Sequence, residues 1–140
     1  MNLIVIDGQG GQLGAQLVKE ITAQFPFLRV TAIGTNAVAT ATMLKAGAHS
    51  AATGENPVVV ACRKADVIIG PIGIVIADSL LGEVTEKMAL AVSRADAVRI
   101  LIPLNKCENL VAGVNASSTK ELLEDVMNKL RSVIEDRFFL

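Results

Sequence analysis

The strongest constraint on the fold of this chain is a glycine-rich segment, residues 7–14, which lies between an apolar run and a periodic apolar pattern. The run at residues 3–6 is continuous, which is typical of a parallel strand covered on both faces. From Leu13 to Ile21 the apolar residues recur at helical spacing. The sequence therefore predicts a buried strand, a glycine loop and a helix in direct succession.

The rest of the chain repeats this alternation of apolar strands and amphipathic helices. Further strands are predicted in five segments, at residues 28–33, 49–52, 67–69, 98–102 and 110–114. Helices are predicted to begin at four capping residues, Asn36, Asn56, Thr85 and Ser118. Another helix is predicted over residues 74–81. This alternation predicts an α/β fold, a Rossmann-like three-layer sandwich with a doubly wound, mostly parallel sheet of about five to six strands. It forms a single domain over residues 1–140.

The glycine spacing predicts a phosphate-binding loop. Gly8, Gly11 and Gly14 match GxxGxxG, a variant of the dinucleotide-binding fingerprint. In that motif the middle glycine lets the backbone approach a phosphate, and the N–H groups of the following helix face the anion. The predicted ligand-binding residues of this loop are Gly8, Gln9, Gly10, Gly11, Gln12 and Leu13. The alternative is a tight turn that binds nothing.

The end of the second predicted strand lacks the acidic residue that NAD-binding folds carry about 20 residues beyond the loop. Gly34, Thr35 and Asn36 stand there instead. Their hydroxyl and amide groups favour NADP or another nucleotide, although Asn36 is equally well explained as a helix N-cap. From the loop after the fourth strand, the predicted site includes Gly70, Pro71 and Ile72.

Asp7 fits a phosphate site poorly, because its carboxylate repels the phosphate unless it is turned away or bridged by Mg²⁺. Two interpretations remain open. Asp7 braces the loop by accepting its N–H groups, or it holds Mg²⁺ against a phosphate. The bracing role is favoured, because no second carboxylate is clearly placed to share a metal, and no metal site is predicted.

The remaining reactive side chains have no role that the sequence assigns. Glu83 follows Gly82, where a predicted helix is interrupted, and its side chain could reach the site from there. An exposed acid at a helix start is the simpler interpretation. No histidine is placed to activate a cysteine. No catalytic residue is therefore predicted among His49, Glu55, Glu83, Lys106, Cys62 and Cys107.

Composition excludes several classes of function. Net charge is −1, basic residues are scattered, and Trp and Tyr are absent, which argues against nucleic-acid binding. Glycines and a proline interrupt the longest uncharged run, so no membrane span is predicted. Two cysteines without paired spacing suggest a cytoplasmic protein. Since 51% of the residues are hydrophobic in so short a chain, a homo-oligomer is expected, most simply a dimer formed through residues 74–81 and the face of Met88.

Several segments together resemble one known family. These are VIDGQGGQLG, AIGTNAVATATMLKAGA, TGEN, CRKADVIIGPIGI, LLGEVTEKMA and ILIPLNKC. They are similar to the bacterial family defined only as domain of unknown function 3842, over about residues 2–114. The resemblance implies a Rossmann-like, NAD(P)-binding-type fold in a bacterial cytoplasmic protein, and it implies no activity or catalytic residue.

The sequence thus predicts a protein that binds a nucleotide, a dinucleotide such as NADP, or another phosphorylated small molecule through its glycine loop. Two alternatives remain open. One is a non-catalytic oligomeric subunit in which the loop is a relic. The other is a Mg²⁺-dependent enzyme acting on a phosphorylated metabolite, with Asp7 as the metal ligand.

Overall fold

The computed structural model describes residues 1–104, 109–115 and 118–138, and these form an α/β fold. The strands are β1 (Leu3–Asp7), β2 (Val30–Gly34), β3 (Ser50–Thr53), β4 (Val67–Pro71) and β5 (Val98–Ile102). The helices are α1 (Gln12–Gln24), α2 (Ala37–Lys45), α3 (Glu55–Cys62), α4 (Glu86–Arg94) and α5 (Thr119–Phe138). A 3₁₀ turn, Ile72–Val75, follows β4. Among the described residues, no helix combines the length and apolar character needed to span a membrane.

The five strands form one parallel sheet in the order β3-β2-β1-β4-β5. Leu3 at the start of β1 lies opposite Val30 on one side and Val67 on the other. The strand order reverses between β1 and β4, which makes this pair the topological switch point of the sheet. The predicted Rossmann-like three-layer sandwich is confirmed.

Two apolar clusters cover the two faces of the sheet. On one face, Leu3 and Val5 of β1 pack with residues from α1, α2 and α5. On the other, Ile4 and Ile6 pack with residues from α3 and α4. Every residue of β1 is buried, which accounts for the continuous apolar run in the sequence.

The helix predicted over residues 74–81 is wrong. The 3₁₀ turn ends at Val75, and successive turns and a bend follow up to residue 84. Asp78, Leu80 and Leu81 have φ angles of 66°, 54° and 57°, which a right-handed helix excludes. The Leu80 side chain is nevertheless buried. The apolar residues that suggested a helix therefore lie in a loop, and this loop buries part of them against the protein.

Other expectations need smaller corrections. Residues 110–114 form no strand, and Leu110 is 95% exposed. Helix α3 begins at Glu55 after Gly54, whose φ of 102° favours glycine, so Asn56 is not its cap. The caps predicted at Asn36 and Thr85 are confirmed, since each side chain accepts a backbone N–H three residues on.

Three apolar side chains of the surface predicted for dimer formation are buried within the protomer. Ile74, Leu80 and Met88 are 1%, 2% and 4% exposed, because they pack in the cluster beneath α4. Leu81, in contrast, is 94% exposed. The buried side chains of Ile74, Leu80 and Met88 stabilise the protomer itself and are not available to a second copy.

The packing of the glycine loop generates a stability prediction. Gly11 has a φ of +75°, and a Cβ added there would lie 2.7 Å from the Cα of Ala39 in α2. Because both the backbone conformation and the space exclude a side chain, Gly11→Ala should lower the free energy of unfolding by about 2 kcal/mol or more. Urea denaturation measures this change.

The matched control is Gly10→Ala in the same loop. A Cβ at Gly10 would find its nearest atom 4.0 Å away, at Cγ of Gln12. We expect its effect to stay within about 0.5 kcal/mol. Equal stabilities for the two variants would contradict the packing described here.

Candidate functional site

The glycine loop lies at the switch point, beside the end of β2. Asp7 at the end of β1 is the register partner of Gly34, and the Thr35 N–H donates to the Asp7 carbonyl oxygen at 3.0 Å. The structure therefore brings the predicted loop residues together with the predicted residues Gly34, Thr35 and Asn36. Gln9 and Gly10 are the exposed part of the loop.

The predicted residues after β4 contribute less. Gly70 and Pro71 are buried within the strand. A Cβ at Gly70 would lie 2.4 Å from the carbonyl oxygen of Ile6, so this glycine permits close packing of β4 on β1. Ile72 is half-buried and opens the 3₁₀ turn. Of these three residues, only Ile72 has surface that a ligand can contact.

The glycines of the motif mainly serve packing. A Cβ at Gly14 would lie 2.5 Å from Sδ of Met43 and 2.8 Å from Cβ of Asp7, so α1 can approach both α2 and β1. Gly11, the middle glycine, packs against α2 rather than leaving room for a phosphate. Gly10 is the glycine of this loop that has free space around it.

Asp7 closes the loop through both of its carboxylate oxygens. Oδ1 accepts the Gly8 N–H at 2.8 Å, and Oδ2 accepts the Gly14 N–H at 2.6 Å. The side chain is only 6% exposed. These are the hydrogen bonds that the bracing interpretation predicts, and they turn both oxygens towards the backbone rather than towards a metal.

The environment of Asp7 raises the pKa of its carboxyl group. Burial is the largest cause; the hydrogen bonds from Gly14 and Gly8 oppose it, and the charge of Glu83 adds to it.

Glu83 is the central acceptor on the exposed side of the loop. Its Oε1 accepts the Gln9 N–H at 2.9 Å, the Thr35 hydroxyl at 2.7 Å and the Asn36 side-chain amide at 2.7 Å. Sequence reasoning favoured an exposed helix-start acid here. The available signal was indirect: an acid was missing at the end of β2, and Glu83 follows a glycine in a loop at the same edge of the sheet.

Asn36 links the loop to α2. Its Oδ1 accepts the Ala39 N–H at 2.9 Å as the N-cap, and its Nδ2 donates to the Gln9 carbonyl oxygen at 2.9 Å as well as to Glu83. The N-cap interpretation is therefore correct. The amide group is held by contacts within the protein on both its oxygen and its nitrogen.

Hydrogen bonding governs the ionisation of Glu83. Partial burial acts to raise its pKa, but the hydrogen bonds from Gln9, Thr35 and Asn36 together hold that pKa below its ordinary value. Glu83 is therefore an anion at neutral pH. The donors of this region are already arranged around a negatively charged oxygen.

Two of the other reactive side chains, those of His49 and Cys62, lie away from the glycine loop. Nδ1 of His49 accepts the Val30 N–H at 3.0 Å, at the amino ends of β2 and β3. Cys62 is buried in the α3 layer, and burial raises the pKa of its thiol to about 11, which disfavours the nucleophilic thiolate. Glu55 lies in the first turn of α3. Lys106 and Cys107 lie outside the described residues.

The fold and this site define a Rossmann-like α/β protein with a glycine loop at its switch point. A family model described as "Domain of unknown function (DUF3842)" matches residues 2–135. The chain belongs to that family. No curated protein and no solved structure shows significant similarity to the chain.

The geometry of Asp7 generates a second prediction. In Asp7→Asn, one acceptor oxygen becomes an amide nitrogen that faces the N–H of Gly8 or Gly14. Because the amide can accept only one of the two N–H groups, the free energy of unfolding should fall by about 1–3 kcal/mol at pH 7. Asp96→Asn, at an exposed turn before β5, is the control and should change it little. Urea unfolding with no difference between the variants would contradict the bracing role.

Proposed function

We propose that this protein binds a nucleotide or dinucleotide through the loop at residues 8–13, at the carboxyl ends of β1 and β2. The observation that carries the proposal is the position of the loop, between a buried first strand and a helix, at the β1/β4 switch point. Open α/β sheets bind ligands in the crevice at this point.

The exposed part of the loop is suited to a phosphate. Gln12 and Leu13 lie in the first turn of α1, where N–H groups have no acceptor within the helix and the dipole favours an anion. Gln9 and Gly10 are exposed, and the free space around Gly10 lets a ligand approach the backbone. A phosphate group placed here would meet N–H donors.

The two alternatives differ in what supports them. Asp7 and Glu83 already accept N–H groups of the loop, as expected if the loop is a turn that binds nothing. The interpretation as a Mg²⁺-dependent enzyme has less support. It requires Asp7 as the metal ligand, and both oxygens of Asp7 accept backbone N–H groups. The proposal assigns no reaction and no catalytic residue.

Cytoplasmic location and homo-oligomer formation stay predictions. The exposed apolar side chains that a second copy would have to cover include Val38 and Leu44 on α2 and Leu81 in the loop before α4. Of these three residues, only Leu81 belongs to the surface first expected at such an interface.

The binding proposal predicts a selective effect of Gly10→Leu. A nucleotide at one hundred times its Kd should stabilise the wild-type protein by about 2.7 kcal/mol, measured as a rise in Tm. The leucine occupies the space beside the loop, so it should abolish this rise. It should leave the Tm of the unliganded protein nearly unchanged, because a Cβ at Gly10 has no atom nearer than 4.0 Å.

Ser93→Leu is the matched control. Ser93 is exposed in the last turn of α4, which lies at the amino ends of the strands, away from the glycine loop. This variant should respond to ATP, NAD⁺, NADP⁺ and ADP-ribose like the wild type. If none of these ligands at millimolar concentration raises the wild-type Tm, or if Gly10→Leu responds equally, the proposal fails.

A further inference from the structure

We propose that Glu83 binds the ribose hydroxyls of the bound nucleotide, and that its carboxylate selects an unphosphorylated ribose over a 2′-phosphorylated one. This inference rests on the proposed nucleotide site. It adds the ligand class to that site: NAD-like compounds or nucleotides with a free ribose diol, rather than NADP-like compounds.

Glu83 occupies the position at which related folds carry a ribose-binding acid. Dinucleotide-binding folds place an acid at the end of β2, where it accepts the 2′-hydroxyl of the ribose. In this chain Thr35 and Asn36 stand there and no acid follows them directly. Glu83, 47 positions beyond Asn36, brings its Oε1 to 2.7 Å from both side chains. A carboxylate therefore stands at the end of β2 although it comes from the loop after β4.

The carboxylate of Glu83 is oriented so that only one of its oxygens is used within the protein. Oε1 receives all three hydrogen bonds, from Gln9, Thr35 and Asn36. Among the residues that the structure describes, none donates to Oε2. A carboxylate accepts through both oxygens, so Oε2 is the atom available for a ribose hydroxyl. Oε1 would meanwhile hold the side chain in place.

The loop that carries Glu83 adopts an unfavourable backbone conformation. Three non-glycine residues before it, Asp78, Leu80 and Leu81, have positive φ angles. The turn is held by the Asp78 N–H, which donates to the Val84 carbonyl oxygen at 2.8 Å, and by burial of the side chains of Leu80 and Val84. Such backbone conformations persist where the surrounding structure enforces them, and they cluster at ligand-binding sites.

The charge of Glu83 favours a hydroxyl over a phosphate. Glu83 carries a negative charge at neutral pH, because hydrogen bonds from Gln9, Thr35 and Asn36 hold its pKa below the ordinary value. Within the described hydrogen-bond network around Glu83, the donors are a backbone N–H, a hydroxyl and an amide, with no Lys or Arg. A 2′-phosphate placed beside this carboxylate would be repelled, whereas a hydroxyl would donate to it.

The test compares ligands that differ only at the ribose 2′ position, by calorimetric titration of the full chain. Wild type should bind ADP-ribose at least about tenfold more tightly than 2′-phospho-ADP-ribose, a difference of about 1.4 kcal/mol. Glu83→Gln should weaken ADP-ribose by about tenfold and narrow that preference, because its amide group can donate to a phosphate. Glu135→Gln, at an exposed position near the end of α5, is the control and should leave both affinities unchanged.

A double-mutant cycle tests the contact itself. In wild type, 2′-deoxy-ADP should bind more weakly than ADP. In Glu83→Gln this difference should largely disappear, because the partner of the hydroxyl has already been altered. Fully additive losses would show that Glu83 does not contact the 2′-hydroxyl and would overturn the inference.

Other outcomes separate this inference from the proposed function. If wild type binds both ADP-ribose compounds equally, or prefers the phosphorylated one, nucleotide binding stands and the role of Glu83 is wrong. If Glu83→Gln tightens both, Glu83 competes with the ligand for the donors of the loop, and the inference is again wrong. If wild type binds none of the probes, the proposed function fails, and this inference fails with it. The wild-type comparison decides the matter even if Glu83→Gln does not fold.

Discussion

The site depends first on the Asp7 carboxylate, which accepts the Gly8 N–H and the Gly14 N–H from inside the loop. These two hydrogen bonds fix where β1 ends and how α1 enters, and so they set the direction in which the first turn of α1 presents its N–H groups. A buried carboxylate is expensive unless its oxygens find donors, and here each oxygen has one. The carboxylate that looked unfavourable beside a phosphate is therefore part of the framework of the loop.

Close packing determines which side of the loop remains open. Gly11 and Gly14 bring α1 against α2 and β1, and neither leaves room for a ligand. Gly10 is the exposed position with free space, and Glu83 lies across the neighbouring donors at Gln9, Thr35 and Asn36. In this loop Gly11 and Gly14 permit close packing, whereas Gly10 has free space beside it. The residues that pack the fold and the residues of the candidate site are therefore neighbours in one loop.

Local patterns in the sequence predicted most of the fold and only part of the site. The continuous run of β1, the glycine loop, and the caps at Asn36 and Thr85 each reflect interactions within a few residues, and all appear as expected. The contact of Glu83 with Asn36 joins residues 47 positions apart, and no local pattern encodes it. The helix predicted over residues 74–81 failed for a related reason, since Leu80 at positive φ is stabilised by burial of its side chain rather than by propensity.

The most direct test of nucleotide binding at the switch point is amide NMR of the protein during titration with ADP-ribose. If the nucleotide binds at the glycine loop, the largest, saturable shifts will occur at Gln9, Gly10, Gln12 and Leu13. Amides at the opposite end of the sheet, such as those of Leu28 and Arg29, which line a cavity of about 620 Å³ there, should not move. Saturable shifts confined to that opposite end, or no shifts at all, would rule out nucleotide binding at the switch point.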